Sequence, residues 1–382
     1  MALKVKAFDQ YDLGTLKADT FTNRLIRYCW ESTLSLSTIA SYPFTSKDVI
    51  PHVFYGGARA GNIGGPLVKI KRLQQFFPEH LLNYNLVYAL SNAAYLSPFA
   101  LRLLSKKNIP LVLNQNGVFY PGWYAGNWRG MNAQMAHSYH RADYVFWQSD
   151  FCRRAANKFL GHREGPGETL FNAVDTSLFM PGKNRRSSEI FTFLLTGNIN
   201  KHLSYRVESS LLGLKVARDN GLDARINIAG ILSKEVLDIS HALIKKLGLS
   251  KSVIFIGPYT QQNAPEIYQS ADAYIMTKYL DPCPNTVLEA MSCGLPVLYS
   301  NSGGISELVG DAAGVGLTVP EVWESAIYVP SKEAIAEGMI LVSQRHVAMK
   351  TEARRRAVEM FDIAQWIEKH EEVFRKLLES RS

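Results

Sequence analysis

Short apolar segments that alternate with longer helical ones place the strongest limit on what this chain can fold into. Alternation of this kind predicts βαβ units, because parallel neighbouring strands need a crossover connection, usually a helix. In the first half of the chain, the predicted strands are 52–55, 85–90, 110–113 and 144–147. The predicted helices begin at Pro66 and then cover 98–106, 131–140 and 150–160, the last with Asp150 as its N-cap.

The alternation is interrupted once and then starts again. Residues 180–188 read MPGKNRRSS, a polar and basic stretch with Pro and Gly that is typical of a linker. After it, strands are predicted at 190–195, 225–228, 253–256, 273–276 and 296–299, and the stretch 352–378 has a helical period. A length of 382 residues also favours two domains.

We therefore predict an α/β fold in which two doubly wound, Rossmann-like domains face a central cleft. The first domain is predicted at residues 1–180, with an atypical extension over 1–48 that shows no clear period. The second domain is predicted at 181–350, and the helical end, 351–382, is expected to cross back to the first domain.

Charge and composition exclude several classes of protein. The formal net charge of +8 favours anionic partners such as phosphates or an anionic membrane face, although a solvated basic surface explains it equally well. Nucleic acid is not an expected partner, since no RNA-binding or helix-turn-helix signature accompanies the charge. Four widely spaced cysteines argue against a zinc site and favour a reducing cytoplasm. No 18-residue apolar run and no secretory signal are apparent.

The stretch from Asp281 to Glu307 carries the strongest functional signal. It reads DPCPNTVLEAMSCGLPVLYSNSGGISE, and predicts a strand, a stiff loop and then a helix that begins near Asn285 or Thr286. The N-terminus of such a helix offers unpaired N–H groups and a partial positive charge, which suit a diphosphate. Asp281 and Glu289 then place two carboxylates near the hydroxyl-bearing groups, a sugar and a ribose, on either side of that diphosphate.

This stretch resembles the retaining glycosyltransferase family 4 (glycosyl transferases group 1), which has the GT-B fold. That family shows E-x7-E before a helix, followed by A-M-A-C-G-x-P-V, and the matching residues here are Glu289 and 290–297. Asp281 replaces the first Glu, and Pro-Cys-Pro replaces the usual Gly-Phe-Gly. The sequence N-A-V-D at 172–175 and V-I-F-I-G at 253–257 also resemble the family, so that the likeness covers roughly 51–376.

The resemblance implies a role for each matching residue. Asp281 is expected to place the donor sugar and Glu289 its ribose, while cations stabilise charge on the departing diphosphate. The family carries Arg and Lys after the first strand of its second domain; here Asn198 stands in the Arg position, and Lys201 and Arg206 are the available cations. The expected donor-binding residues are Gly197, Asn198, Gly257, Tyr259, Pro284, Asn285, Thr286 and Val287.

Two features of the first half are expected to face the acceptor. The glycine-rich loop 56–65, which ends in Gly64 and Gly65, resembles the family's loop after its first strand, although a merely flexible loop is an equal alternative. Asn114 and Asn116 follow a buried strand, so their amides are expected near its carboxyl end, where they are available to acceptor hydroxyls.

The predicted function is transfer of a hexose-type sugar from a nucleotide-diphosphate sugar to a glycan, lipid-linked or other hydroxyl acceptor, with retention of configuration. Cell-surface polysaccharide or glycolipid synthesis is the expected setting, in the cytoplasm and peripheral to an anionic membrane. No Asp-x-Asp occurs, so neither a metal nor a cofactor is expected. The alternatives are a nucleotide-sugar epimerase or phosphorylase of the same fold, or a non-catalytic protein that binds nucleotide sugars.

Overall fold

The structure is a computed structural model that describes residues 7–11, 21–41, 43–44, 48–61, 65–182 and 190–381. The described residues form two compact units. The unit that we call the N-half unit takes residues from 16–171 and 364–382, and the C-half unit takes residues from 1–15 and 172–363. The observed boundary lies between Phe171 and Asn172, earlier than the predicted boundary at 180.

Strands and helices alternate along both halves. The strands are β1 Phe8–Tyr11, β2 Val53–Phe54, β3 Leu86–Leu90, β4 Leu111–Gln115, β5 Tyr144–Trp147, β6 Gly167–Thr169, β7 Phe191–Ile199, β8 Ala224–Leu232, β9 Val253–Gly257, β10 Ala273–Met276, β11 Val297–Asn301, β12 Gly314–Thr318 and β13 Ile327–Pro330. The α-helices are α1 Phe21–Ala40, α2 Gly65–Gln74, α3 Pro98–Lys106, α4 Trp128–Arg141, α5 Asp150–Leu160, α6 Tyr205–Asp219, α7 Lys234–Leu247, α8 Ala264–Gln269, α9 Asn285–Ser292, α10 Ile305–Val309, α11 Lys332–Met360 and α12 Ile363–Glu379.

The N-half unit is built on a parallel sheet with the strand order β2-β3-β4-β5-β6. Every residue of β3 and β4 is buried, as expected for central strands that are covered by helices on both faces. Helix α12 belongs to this unit from Ala364 onward, and its buried His370 shares a 3.0 Å hydrogen bond between Nε2 and the Tyr88 hydroxyl in β3.

The C-half unit is built on a six-stranded parallel sheet with the order β12-β11-β10-β7-β8-β9. The chain runs outward from β7 in one direction and then returns to β10 on its other side. The strand order therefore reverses between β7 and β10, and in such sheets ligands bind beyond the carboxyl ends of the strands at the reversal. A separate antiparallel pair, β1 with β13, adds the start of the chain to this unit.

Three local expectations are corrected by the structure. Helix α5 is capped by Ser149, whose hydroxyl accepts the Cys152 N–H, and Asp150 is the first helical residue rather than the N-cap. The extension before residue 48 contains β1 and α1, although its sequence shows no period. The predicted helical stretch 352–378 belongs to two helices, α11 and α12, because the helix is interrupted at Asp362. Asp362 forms a β-bridge with Val174 and accepts a hydrogen bond from Thr176.

Candidate functional site

A buried cation lies under the carboxyl ends of the two strands where the strand order reverses. Arg206 in α6 is 3% exposed, and its guanidinium donates to the Thr196 carbonyl at 3.0 Å and to Met276 Sδ at 3.4 Å. Gly197 makes room for it: φ is 150° there, and a Cβ would lie 2.9 Å from Arg206 Nη1. Two expected residues, Gly197 and Arg206, are therefore in direct contact at the end of β7.

Lys201, the other expected cation, lies at the surface. It begins the short 3-10 turn Lys201–Leu203, its side chain is 69% exposed, and Nζ pairs with Glu235 at 2.8 Å. Solvent screens such a pair strongly. Asn198 is also exposed, at the end of β7. Of the two predicted cations, only Arg206 is part of the buried framework of the site.

A second cation, which the sequence interpretation missed, lies in the loop after β10. Lys278 Nζ is 2.7 Å from Asp281 Oδ2, and Asp281 Oδ1 accepts the Cys283 N–H at 3.2 Å. The residue Asp281 is 6% exposed. The available signal was a lysine three residues before the acidic position, just past a buried strand. The structure thus brings the predicted carboxylate together with a cation of its own loop.

The loop that carries this ion pair is held in a strained shape by backbone contacts. Leu280 has φ of 50°, and its N–H donates to the Ser302 hydroxyl at 3.1 Å. The Gly304 N–H donates to the Asp281 carbonyl at 2.9 Å. A Cβ on Gly303 would lie 2.4 Å from that carbonyl oxygen, so glycine at this position lets the neighbouring segment approach the loop closely.

Helix α9 begins at Asn285 with an N-terminus that no side chain caps in the described structure. Pro284 is the N-cap residue, with no side-chain cap hydrogen bond, and the first turn contains no acidic residue. Its N–H groups are therefore positioned to bind an anion. Asn285 and Thr286 are half-buried at this end, while Val287 is fully buried.

Glu289, one turn into α9, is surrounded by three tyrosines. The Tyr268 hydroxyl donates to Glu289 Oε2 at 2.8 Å, and the Tyr274 hydroxyl lies 2.8 Å from Thr196 Oγ1. Burial, and then the charge of Glu289, raises the pKa of Tyr259 to about 12, and the same causes raise the pKa of Tyr268 well above its ordinary value. The phenols of Tyr259 and Tyr268 therefore stay protonated, and Tyr268 keeps the proton that it donates to Glu289.

Gly257 ends β9 two residues before Tyr259. Its φ is 88°, and nothing lies within 4 Å of a Cβ built on it, so the backbone conformation alone favours glycine here. The turn at Gly257 leads the chain from the sheet to Tyr259.

The expected residues of the N-half unit have different environments. Asn114 is fully buried, and its Oδ1 accepts hydrogen bonds from Lys69 Nζ at 2.7 Å and from Gln148 Nε2 at 3.0 Å. Asn116 is half-buried and bonded to Ser91 and Asn92. Gly65 is the exposed first residue of α2, while Gly64 lies outside the described residues.

The described residues contain neither a metal-binding cluster nor a membrane-spanning helix. No group of three or more His, Cys, Asp or Glu side chains in this part of the chain is arranged to hold a metal ion. None of the described helices combines the length and the apolarity that crossing a membrane requires.

The family model of the glycosyl transferases group 1 matches residues 184–356, a segment that contains Arg206, Lys278, Asp281 and Glu289. This segment is a glycosyl transferases group 1 domain. The predicted membership of the glycosyl transferases group 1 is thereby confirmed, and the cluster around α9 lies within the matched segment.

Curated relatives match part of the length of this chain. D-inositol 3-phosphate glycosyltransferase of Paenarthrobacter aurescens (strain TC1) is 27% identical over 166 residues, 40% of each chain. The enzyme of the same name from Nocardia farcinica (strain IFM 10152) is 34% identical over 105 residues, 27% of this chain and 23% of the relative. The alignments thus span less than half of these relatives.

Solved structures match over most of this chain. Anabaena Alr3699/HepE in complex with UDP has a TM-score of 0.61 at 19% identity and covers 81% of both chains. Sucrose-phosphate synthase from Thermosynechococcus elongatus has a TM-score of 0.59 at 15% identity, over 82% of this chain and 78% of that one. At these identities the likeness concerns the fold, and it confirms the predicted α/β architecture of the GT-B type.

Proposed function

We propose that this chain transfers a hexose-type sugar from a nucleotide-diphosphate sugar to a hydroxyl acceptor with retention of configuration. The observation that carries the proposal is the cluster where the strand order reverses in the C-half unit. This cluster contains the uncapped N-terminus of α9 and the carboxylate of Glu289, which accepts a hydrogen bond from a tyrosine. It also contains two cations, Arg206 and Lys278, which contact the end of β7 and the loop after β10. Similar folds have been solved with UDP and with UDP-glucose, which supports a donor of this class.

In the proposed complex, the donor diphosphate lies against the first turn of α9, next to Asn285 and Thr286. Glu289 accepts hydrogen bonds from the ribose hydroxyls, and Tyr268 holds that carboxylate in place. Asp281 accepts hydrogen bonds from the donor sugar. Because Lys278 already pairs with Asp281, the carboxylate is held in one orientation before the sugar arrives.

The chemical step then depends on charge rather than on a protein nucleophile. Negative charge develops on the diphosphate as the glycosidic bond breaks, and preorganised N–H groups and cations stabilise it. In the proposed retaining mechanism, the leaving phosphate oxygen takes the proton of the acceptor hydroxyl as that hydroxyl attacks the same face of the sugar. The proposal invokes no metal ion and no cofactor, because α9, Arg206 and Lys278 supply the positive charge.

The acceptor is proposed to be a glycan, a lipid-linked saccharide or another hydroxyl compound, in polysaccharide or glycolipid synthesis. A cytoplasmic protein in peripheral contact with an anionic membrane fits the net charge of +8 and the sparse cysteines. Of the two asparagines expected to contact the acceptor, Asn116 is the more accessible, because it is half-buried. Asn114 is fully buried and bonded to Lys69 and Gln148.

Incubation with UDP-, GDP- and ADP-sugars and a panel of hydroxyl acceptors tests the proposal. We expect free nucleoside diphosphate and a new glycosidic bond in equal amounts, with the anomeric configuration retained by NMR. Glu289→Ala should lower transfer by orders of magnitude, whereas Glu266→Ala, an exposed carboxylate on neighbouring α8, should not. Conversion of the donor without release of diphosphate indicates an epimerase. Binding without any product indicates a non-catalytic protein, and either result contradicts the proposal.

A further inference from the structure

Helix α1 has two apolar faces, and the fold covers only one of them. Leu34 and Thr38 are buried against the N-half unit. On the opposite face, four large side chains are between 46% and 69% exposed and recur at helical spacing. We call these residues the α1 stripe: Leu25, Tyr28, Leu36 and Ile39.

Polar contacts hold α1 firmly with this stripe turned outward. Trp30 Nε1 donates to the Gly57 carbonyl at 3.2 Å, just past the carboxyl end of β2. At the other end, Ser41 donates to the Tyr84 hydroxyl at 3.0 Å, shortly before β3 begins. The helix is thus held at its middle and at its C-terminal end, and the stripe extends for about 21 Å at 1.5 Å per residue.

The neighbouring helix α3 adds cations beside the stripe. Ser97 and Ser35 hydroxyls lie 2.7 Å apart, and Lys107 Nζ donates to the Ser41 carbonyl at 2.9 Å, so α3 runs beside the second half of α1. Three exposed residues of α3 follow one another on its outer face: Phe99, Arg102 and Lys106. An uncovered apolar face is thus bordered by basic side chains.

We propose that the α1 stripe and the outer face of α3 bind the surface of a membrane that contains anionic lipids. Apolar side chains flanked by cations are the pattern of helices that lie in the membrane interface, where acyl chains take the apolar groups and anionic headgroups attract the basic ones. The net charge of +8 acts in the same direction.

A second copy of this chain fits the same surface less well. A two-fold interface places the same patch on both partners, so it brings Arg102 and Lys106 of both copies into one interface whose stripe residues carry no opposite charge. A membrane surface supplies the opposite charge instead. The inference deepens the proposed function, since it brings the enzyme to the place where a lipid-linked acceptor lies, but its test needs no glycosyl transfer.

The test is co-sedimentation of the full chain with vesicles of phosphatidylcholine alone and of phosphatidylcholine with phosphatidylglycerol. We expect binding to the anionic vesicles that weakens at high salt. The triple variant Leu25→Ser, Leu36→Ser, Ile39→Ser should bind about tenfold more weakly or worse, because the apolar contribution scales with the buried area. The double variant Arg102→Gln, Lys106→Gln should lose the preference for anionic lipid.

Val347→Ser is the matched control, because Val347 is a 79% exposed apolar residue of α11 in the C-half unit. It should bind vesicles as the parent does. All changed side chains are exposed, so unfolding curves should coincide with those of the parent. Unaltered vesicle binding by the triple variant overturns the inference. A parent protein that binds neither vesicle also overturns it. If that protein sediments as a dimer that the triple variant dissociates, the stripe is a dimer interface instead. Loss of sugar transfer with normal vesicle binding would count against the proposed function alone.

Discussion

Replacement of Lys278 by methionine removes the cation that pairs with Asp281 and keeps an apolar chain of similar length. The Nζ–Oδ2 distance is 2.7 Å, and the two side chains are 22% and 9% exposed. After the change, the Asp281 carboxylate keeps the Cys283 N–H at 3.2 Å but loses its ion pair. The variant therefore removes this ion pair from the candidate donor site.

The size of the effect follows from the exposure of the pair. Breaking a fully buried ion pair by removing one partner costs about 3–5 kcal/mol, whereas an exposed pair contributes about 0–1 kcal/mol. This pair lies between those limits, so we expect the free energy of unfolding of the C-half unit to fall by about 2 kcal/mol. Asp281→Asn combined with Lys278→Met should cost less than Lys278→Met alone, because no unpaired carboxylate remains. The coupling energy should be about 1–2 kcal/mol.

Urea unfolding of the two single variants and the double variant measures this coupling. Lys215→Met, which breaks the exposed pair with Asp219 in α6, is the control and should change stability by about 0.5 kcal/mol or less. In steady-state assays with whichever nucleotide sugar proves to be the donor, Lys278→Met should lower kcat about 100-fold, as loss of one stabilising hydrogen-bond donor does in other enzymes. Additive single variants together with unchanged kinetics would refute the assignment of Lys278 to the site.

Three further outcomes are expected. Tyr268→Phe removes the 2.8 Å bond to Glu289, so KM for the donor should rise and unfolding should be easier by about 1.5–3 kcal/mol; an unchanged KM contradicts this. Gly197→Ala puts a Cβ 2.9 Å from Arg206 Nη1 and should lower kcat, whereas Gly221→Ala, equally unfavourable in φ but with open space around it, should affect stability alone. Burial lowers the pKa of His370 to about 3. Below pH 6.5 the His370 side chain therefore binds a proton in the unfolded chain but not in the folded protein. The free energy of unfolding should therefore fall by about 1.4 kcal/mol per pH unit below 6.5, and His370→Gln should flatten that slope.

The local parts of the candidate site could be predicted from the sequence. Apolar residues predict the buried strand β10, prolines at 282 and 284 stiffen the loop, and α9 begins at Asn285, as the pattern indicated. Each of these features depends on residues a few positions apart. The resemblance to a known family then supplied roles for Asp281 and Glu289, which remain predictions.

Features that depend on distant residues could not be predicted. Arg206 is buried only because Gly197, nine residues earlier in another element, leaves space for its guanidinium. The environment of Asn114 depends on Lys69 and Gln148, which lie on either side of it in the chain. Helix α1 was not predicted, and its exposed apolar side chains depend on the fold, which covers the side that carries Leu34 and Thr38.

Neither compact unit is a continuous piece of the chain. The N-half unit needs α12 from the far end, where Phe374 and His370 pack against Tyr88, and the C-half unit takes β1 from the start. A gene cut between Phe171 and Asn172 would therefore give two fragments that each lack a segment of their own core or sheet. A stop codon ahead of α12 would therefore damage the N-half unit, although most of that unit is synthesised first, because α12 completes its core.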